Sequence, residues 1–185
     1  MKEEDKKSLL KVARTAVAEA VAGKPISVER ITAPSLQEHQ GAFVTLKNGE
    51  LLRGCIGRFT ADIPLYQVVR EMAVAAATED PRFFTNPITR EEVGELTIEI
   101  SVLSPLERIA NPLDIELGKH GIYIRRGYRS GCFLPQVATE TGWSKEQFLS
   151  HCAEMKAGLP PDSWKDPKTE VYVFTALIIG EEKPD

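Results

Sequence analysis

Residues 41–57 read Gly41-Ala42-Phe43-Val44-Thr45-Leu46-Lys47-Asn48-Gly49-Glu50-Leu51-Leu52-Arg53-Gly54-Cys55-Ile56-Gly57, and this stretch decides the fold. Two apolar runs flank Lys47-Asn48-Gly49. Asn-Gly tolerates the positive φ of a tight turn, so strands over 43–46 and 50–53 fold back as a hairpin that arrives at Gly-Cys. Helical sequence follows, and then a closing strand over 96–103. There Leu96, Ile98, Ile100 and Val102 alternate with Thr97, Glu99 and Ser101, the pattern of a half-buried strand. The same order returns from Gly121-Ile122-Tyr123-Ile124, through a turn at Gly127 and Ser130-Gly131-Cys132, to a closing strand over 171–178. Cys55 and Cys132 lie 77 positions apart, and Leu96 and Val171 lie 75 apart. The matched spacing implies an internal duplication of a β-β-α-α-β unit, with copies at about 41–104 and 121–179 in one domain over 1–185. A seam between two halves is a favoured place for a cleft.

The helices fill in an α+β domain of six mostly antiparallel strands. An extra N-terminal helix is expected over 6–22, its stripe carried by Leu9, Val12, Ala13, Ala16, Val17, Ala20 and Val21 and its end marked by Gly23 and Pro25. Asp62 is the expected cap of a helix with Pro64 in its first turn and Leu65, Val68, Val69, Met72, Ala73 and Ala76 inward. Thr89-Arg90-Glu91-Glu92 and Ser144-Lys145-Glu146-Gln147 are capping-box patterns. The second opens a helix that turns Phe148, Leu149, Cys152 and Met155 inward, after a shorter helical piece over 135–141. The tail from Gly180 on should fray.

Composition narrows the function. The chain has 185 residues, 42% hydrophobic, with a formal net charge of −4 and a pI near 5.5. That balance carries no footprint for bulk nucleic acid or an anionic membrane; a local face of Arg125, Arg126 and Arg129 keeps RNA only as a remote alternative. No apolar run reaches the ~20 residues of a spanning helix, and the charged start Met1-Lys2-Glu3-Glu4-Asp5-Lys6-Lys7 reads as cytoplasmic. Three cysteines without Cys-x-x-Cys spacing form neither a disulfide framework nor a zinc ribbon, so no metal and no cofactor is expected. Phosphate loops, dinucleotide fingerprints, His-Glu-x-x-His and Gly-x-Ser-x-Gly are absent.

Leu52-Arg53-Gly54-Cys55-Ile56-Gly57, Asp80-Pro81-Arg82-Phe83, Glu99-Ile100-Ser101-Val102-Leu103, Lys119-His120-Gly121 and Leu134-Pro135-Gln136-Val137-Ala138 before Trp143 together resemble the AMMECR-type domain family. Its prokaryotic members are the A proteins of the AmmeMemoRadiSam system. The resemblance covers nearly the whole chain in order. It implies two β(3)-α(2) repeats sharing one barrel-like sheet. It also implies a genomic association with a Memo-like protein, related to non-haem-iron dioxygenases, and with a radical-SAM enzyme. No catalytic activity comes with it. Cys55 and Arg53 lie in its most characteristic motif.

Each candidate residue has two readings. Cys55 between Arg53 and Arg58 is a thiol whose nucleophilic thiolate those guanidiniums would favour, or it is a small packed strand residue. Gly54 and Gly57 open the backbone to a ligand, or they admit another backbone. Asp80 orients Arg82 or Arg53 toward a small anionic ligand, or it pins a loop. His120 is a base for Cys55 or a hydrogen-bonded structural group. Two functions follow: an accessory or substrate-binding subunit, and, as the alternative, a cysteine-dependent enzyme acting on a small anionic substrate.

Overall fold

The apolar stripes place the first helices. α1 (Glu3–Val21) buries Leu9, Ala13, Ala16 and Val17 and opens on Glu3, Glu4 and Asp5, acids suited to a helix N-terminus. A short helix α2 (Pro34–Gln37) precedes the hairpin of β1 (Ala42–Asn48) and β2 (Leu51–Arg58), turned by Gly49 at φ 58°. α3 (Leu65–Thr78) buries the predicted stripe. Asp62 does not cap it. Pro64 holds the cap position, and the Leu65 N–H donates instead to the Glu38 carbonyl at 2.9 Å. β3 (Leu96–Leu103) follows with Leu96, Ile98, Ile100 and Val102 buried. Thr89-Arg90-Glu91-Glu92 yields only a 3-10 turn over Glu92–Gly94. Thr89 Oγ1 accepts from the Glu92 N–H at 3.3 Å, but the Glu92 carboxylate is drawn away to Arg53.

The second run comprises β4 (Glu107–Arg108), β5 (Gly121–Arg126), β6 (Arg129–Phe133), α4 (Pro135–Thr141), α5 (Lys145–His151), β7 (Glu170–Phe174) and β8 (Ala176–Gly180). Ser144 and Gln147 form the expected reciprocal cap of α5. The helix continues as a π turn over Cys152–Lys156. That wider turn rotates later positions, so Met155 is exposed rather than inward, and Ala153 and Ala157 are buried. In this computed structural model residues 1–181 are described. Gly180 closes β8, and Glu181 donates its N–H to the Ile98 carbonyl and pairs its carboxylate with Arg14. The tail therefore does not fray from Gly180; its residues 182–185 lie outside the described residues.

The chain is α+β as read, but its strands form two four-stranded sheets, ordered β2-β1-β3-β8 and β6-β5-β7-β4, rather than one shared sheet. The expected closing strand over 171–178 breaks at Thr175. Thr175 exchanges both its backbone groups with Ser104: its N–H donates to Ser104 Oγ, and its carbonyl accepts the Ser104 N–H, each at 2.9 Å. β7 thus joins β5 and β4, whereas β8 joins β3. The two orders match. Each closing strand lies between the first strand of its hairpin and the strand that follows the other closing strand in the chain.

Two compact units result, Met1–Leu103 with the segment from Leu177 on, and Ser104–Ala176. In the first, Ala42, Val44 and Leu46 of β1 join β3 and the stripes of α1 and α3 in one core. In the second, Ile122, Ile124, Val171 and Val173 join Phe133, Phe148, Leu149 and Trp164. The Gly-Cys landmarks occupy matching rungs: Cys55 opposite Thr45, itself opposite Glu99, and Cys132 opposite Tyr123, itself opposite Tyr172.

Gly54 has a packing reason. A Cβ there would stand 2.0 Å from the Ala76 carbonyl oxygen of α3, and at Gly131 one would stand 2.4 Å from the Ala157 nitrogen. Helix backbone lies directly on both strands. Gly54→Ala should therefore lower stability by about 3 kcal/mol, at the upper end of overpacking penalties. Gly94→Ala, with nothing within 4 Å, should stay within about 0.5 kcal/mol of the parent. Urea midpoints of the two variants check this.

Candidate functional site

A bulge in the first hairpin builds the site. Leu46 pairs with Gly54 and Lys47 with Leu52, so Arg53 is the extra residue of β2. Bulges re-aim a side chain, and Arg53 is buried, 3% exposed. Its guanidinium grips the Glu92 carboxylate in a fork, Nε to Oε1 at 2.5 Å and Nη2 to Oε2 at 3.0 Å. Nη2 also donates to the carbonyls of Asn86 and Pro87 at 3.2 and 3.3 Å. The Arg53 partner holds the Glu92 carboxyl below its ordinary range; burial opposes, and Asn48 helps.

Asp80 does the corresponding work at the outer edge of β2. It is 3% exposed, and its Oδ2 accepts the Cys55 N–H at 2.9 Å. Arg82 closes a second fork on it, Nε to Oδ1 at 2.9 Å and Nη2 to Oδ2 at 2.6 Å, and also donates from Nη2 to the Cys55 carbonyl at 3.2 Å. Both outward backbone groups of Cys55 on this edge strand are thereby satisfied by side chains, which blocks strand addition there. The Arg82 guanidinium keeps the Asp80 carboxyl below its usual range, with the N–H groups of Cys55 and Arg82 adding to it and burial opposing. The Phe83 ring lies between the two arginines, 5.7 Å from Arg53 Cζ and 5.6 Å from Arg82 Cζ.

Cys55 Sγ is half-buried on the sheet face of Thr45 and accepts the Thr45 hydroxyl at 3.3 Å. Gly54 faces α3 instead, and the place of a Gly57 side chain is filled by the Phe43 ring. Arg58 leaves the cluster for Glu71 of α3, at 2.5 Å. His120 belongs to the second unit, where its Nδ1 accepts the Glu116 N–H at 3.2 Å. Thus Arg53, Gly54, Cys55, Asp80 and Arg82 come together. Glu92, Thr45, Asn86 and Pro87 are the members that sequence reasoning missed. The signal for Glu92 was present but read as a helix cap.

Beside the cluster, the segment after α3 forms one wall of a pocket of about 300 Å³ within the first unit, lined by Val21, Ala76, Asp80, Phe83, Phe84 and Ile88 among others. Among the described residues no three His, Cys, Asp or Glu side chains group as a metal site, and no helix is long and apolar enough to cross a membrane. The face expected for RNA is largely paired: Arg125 with Glu170, Arg126 with Asp166, and Arg129 with the Gly158 carbonyl.

A two-sheet α+β chain with a buried Arg-Gly-Cys bulge clamped by Asp-Pro-Arg-Phe defines a class with known relatives. The AMMECR1 family model matches residues 10–179, and the chain belongs to that family. It is 44% identical over 195 residues to a protein of Thermococcus gammatolerans, covering 100% of this chain and 94% of that one. A protein of Methanopyrus kandleri is 45% identical over 193 residues, covering 98% and 91%. The crystal structure of the uncharacterised protein PH0010 from Pyrococcus horikoshii is similar throughout, with TM-score 0.89, 42% identity and coverage of 100% and 95%.

The clamp titrates in acid. Asp80 and Glu92 bind protons less tightly folded than unfolded, so their contribution is complete above the ordinary carboxylate value near ~4 and is lost as pH falls through their lowered values. Asp80→Asn should cost about 2 kcal/mol at neutral pH. Its deficit relative to the parent should shrink as pH drops below about 4. Urea unfolding across that range checks the sign: a deficit that grows in acid would contradict it.

Proposed function

We propose that this chain is an accessory or substrate-binding subunit rather than an enzyme in its own right, working with a Memo-like protein and a radical-SAM enzyme as the family resemblance implies. One observation carries the reading. The groups that looked chemical in the sequence are consumed in building a surface: the Arg53 fork, the Asp80 carboxylate and both outward backbone groups of Cys55 tie segment 80–92 to β2. Most of that segment is exposed, and the side chains it turns outward include Phe84, 63% exposed, and Arg82, 54% exposed. These two residues are the contact surface of the proposal, and the neighbouring pocket of about 300 Å³ is its place for a substrate. The matching sheet orders and Gly-Cys rungs support descent of the two units from one duplicated β-β-α-α-β unit.

The alternative, a cysteine enzyme, has a half-buried thiol in its favour. The two readings separate cleanly. Cys55→Ser should leave function in the host and recovery of the native complex unchanged. Phe84→Ser, at a side chain that is 63% exposed, should reduce complex recovery at least about tenfold while the purified chain stays folded by circular dichroism. Loss of function in Cys55→Ser with complex recovery intact would decide for the enzyme.

A further inference from the structure

The second unit contains a pocket of about 510 Å³ that no part of the Cys55 cluster touches. Its walls include Ile109, Pro112, Trp164 and Val171, and Arg108, Lys165, Asp166 and Thr169 supply the polar groups. Two buried side-chain hydroxyls lack a partner among the described residues, those of Ser163 and Thr169. Thr169 is the one that lines this pocket, and it is only 7% exposed. A buried hydroxyl without a partner calls for a physical explanation, and a bound polar group supplies one.

The charges that line the pocket, Arg108, Lys165 and Asp166, do not cancel when counted with their ion-pair partners. Glu170 is shared by two arginines: Arg125 takes Oε2 at 2.6 Å, which leaves Arg108 at 3.5 Å from Oε1. Arg126 holds Asp166 at 3.0 Å, and Lys165 holds Asp162 at 2.6 Å while lying over the Trp164 ring. Four cations thus meet three carboxylates. The surplus charge rests on Arg108, which has the longest of these ion pairs and a side chain 59% exposed. Asp166 lines the pocket but is already neutralised, and it also accepts the Lys168 N–H at 2.9 Å.

We infer that this pocket binds a small organic monoanion, a single carboxylate on an apolar body, with Arg108 as counter-ion and the Thr169 hydroxyl as hydrogen-bond partner. One surplus cation selects one negative charge. The apolar walls select a body that a bare ion lacks. The site lies outside the surface assigned to partner contact, so it stands or falls separately.

Indole-3-acetate titrated into the full chain by NMR is the test. Saturable shifts of Arg108, Thr169 and Val171 at up to about 10 mM are expected, with indole-3-acetamide about tenfold weaker. Arg108→Gln should weaken binding about tenfold without changing the melting temperature, because that side chain is exposed. Thr169→Val, which removes an unpartnered hydroxyl, should also weaken binding without lowering stability. Arg90→Gln, in the first unit, should bind as the parent does. Absence of saturable shifts, equal binding of the amide, or full affinity in Arg108→Gln would overturn the inference. So would inorganic phosphate shifting the same residues as strongly, since that marks a phosphate site.

Discussion

The close approach of helix backbone to strand at Gly54 sets the rest of the candidate site. The Ala76 carbonyl occupies the space a Cβ would need, so the last turn of α3 rests on β2 with nothing between. α3 ends at Thr78, and Asp80, two residues on, is already at the β2 edge with its carboxylate on the Cys55 N–H. Pro81 and the 3-10 turn then return Arg82 to the same carboxylate. Arg82 and Arg53 frame Phe83, and Glu92 closes the segment on the far side. A side chain at residue 54 would lift the helix, and every later contact depends on that distance.

The second unit separates what the fold needs from what the site needs. Gly131 meets helix backbone as Gly54 does, and the sheet orders match. Yet Ser130 stands before Gly131 where Arg53 stands before Gly54. The second hairpin pairs without a register shift. A hairpin, a helix on glycine and a closing strand therefore form without the clamp. Removing one member of a buried pair such as Arg53–Glu92 costs about 3–5 kcal/mol, while an apolar replacement of both can be neutral. Such a pair is weak evidence for stability and better evidence for fixing one conformation, here that of residues 80–92.

Periodicity made the elements legible. The stripes of α1 and α3, the alternation of β3 and the turn at Asn48-Gly49 are local patterns; α3 and β3 bury the apolar residues named, while α1 buries Leu9, Ala13, Ala16 and Val17 and leaves Val12, Ala20 and Val21 half-buried. Pairing across the chain was not legible in the same way. Val171 to Ile178 reads as one strand because nothing in its own sequence announces that Ser104, 71 residues earlier, takes both backbone groups of Thr175. Met155 was misplaced because a π turn changes the period within a helix. Glu92 looked like a cap because Thr-x-x-Glu specifies one locally, and a buried guanidinium outcompetes the local bond. The site's residue names were mostly visible in the sequence, while their partners were not.

Charge is where sequence and structure diverge most. Arg53, Arg58 and Arg82 read together as a receptor for an anion, but each arrives with its own carboxylate: Glu92, Glu71 and Asp80. An anion that took Arg82 would strand Asp80, whose side chain is 2% exposed, and an uncompensated buried carboxylate costs several kcal/mol. Exposed single contacts seldom return that much. The same arithmetic applied to the second unit gives the opposite sign, because Glu170 serves two arginines and satisfies only Arg125 at close range. Counting arginines in a motif therefore overstates its appetite for anions, and counting arginines against the carboxylates within reach moves anion recognition away from Cys55.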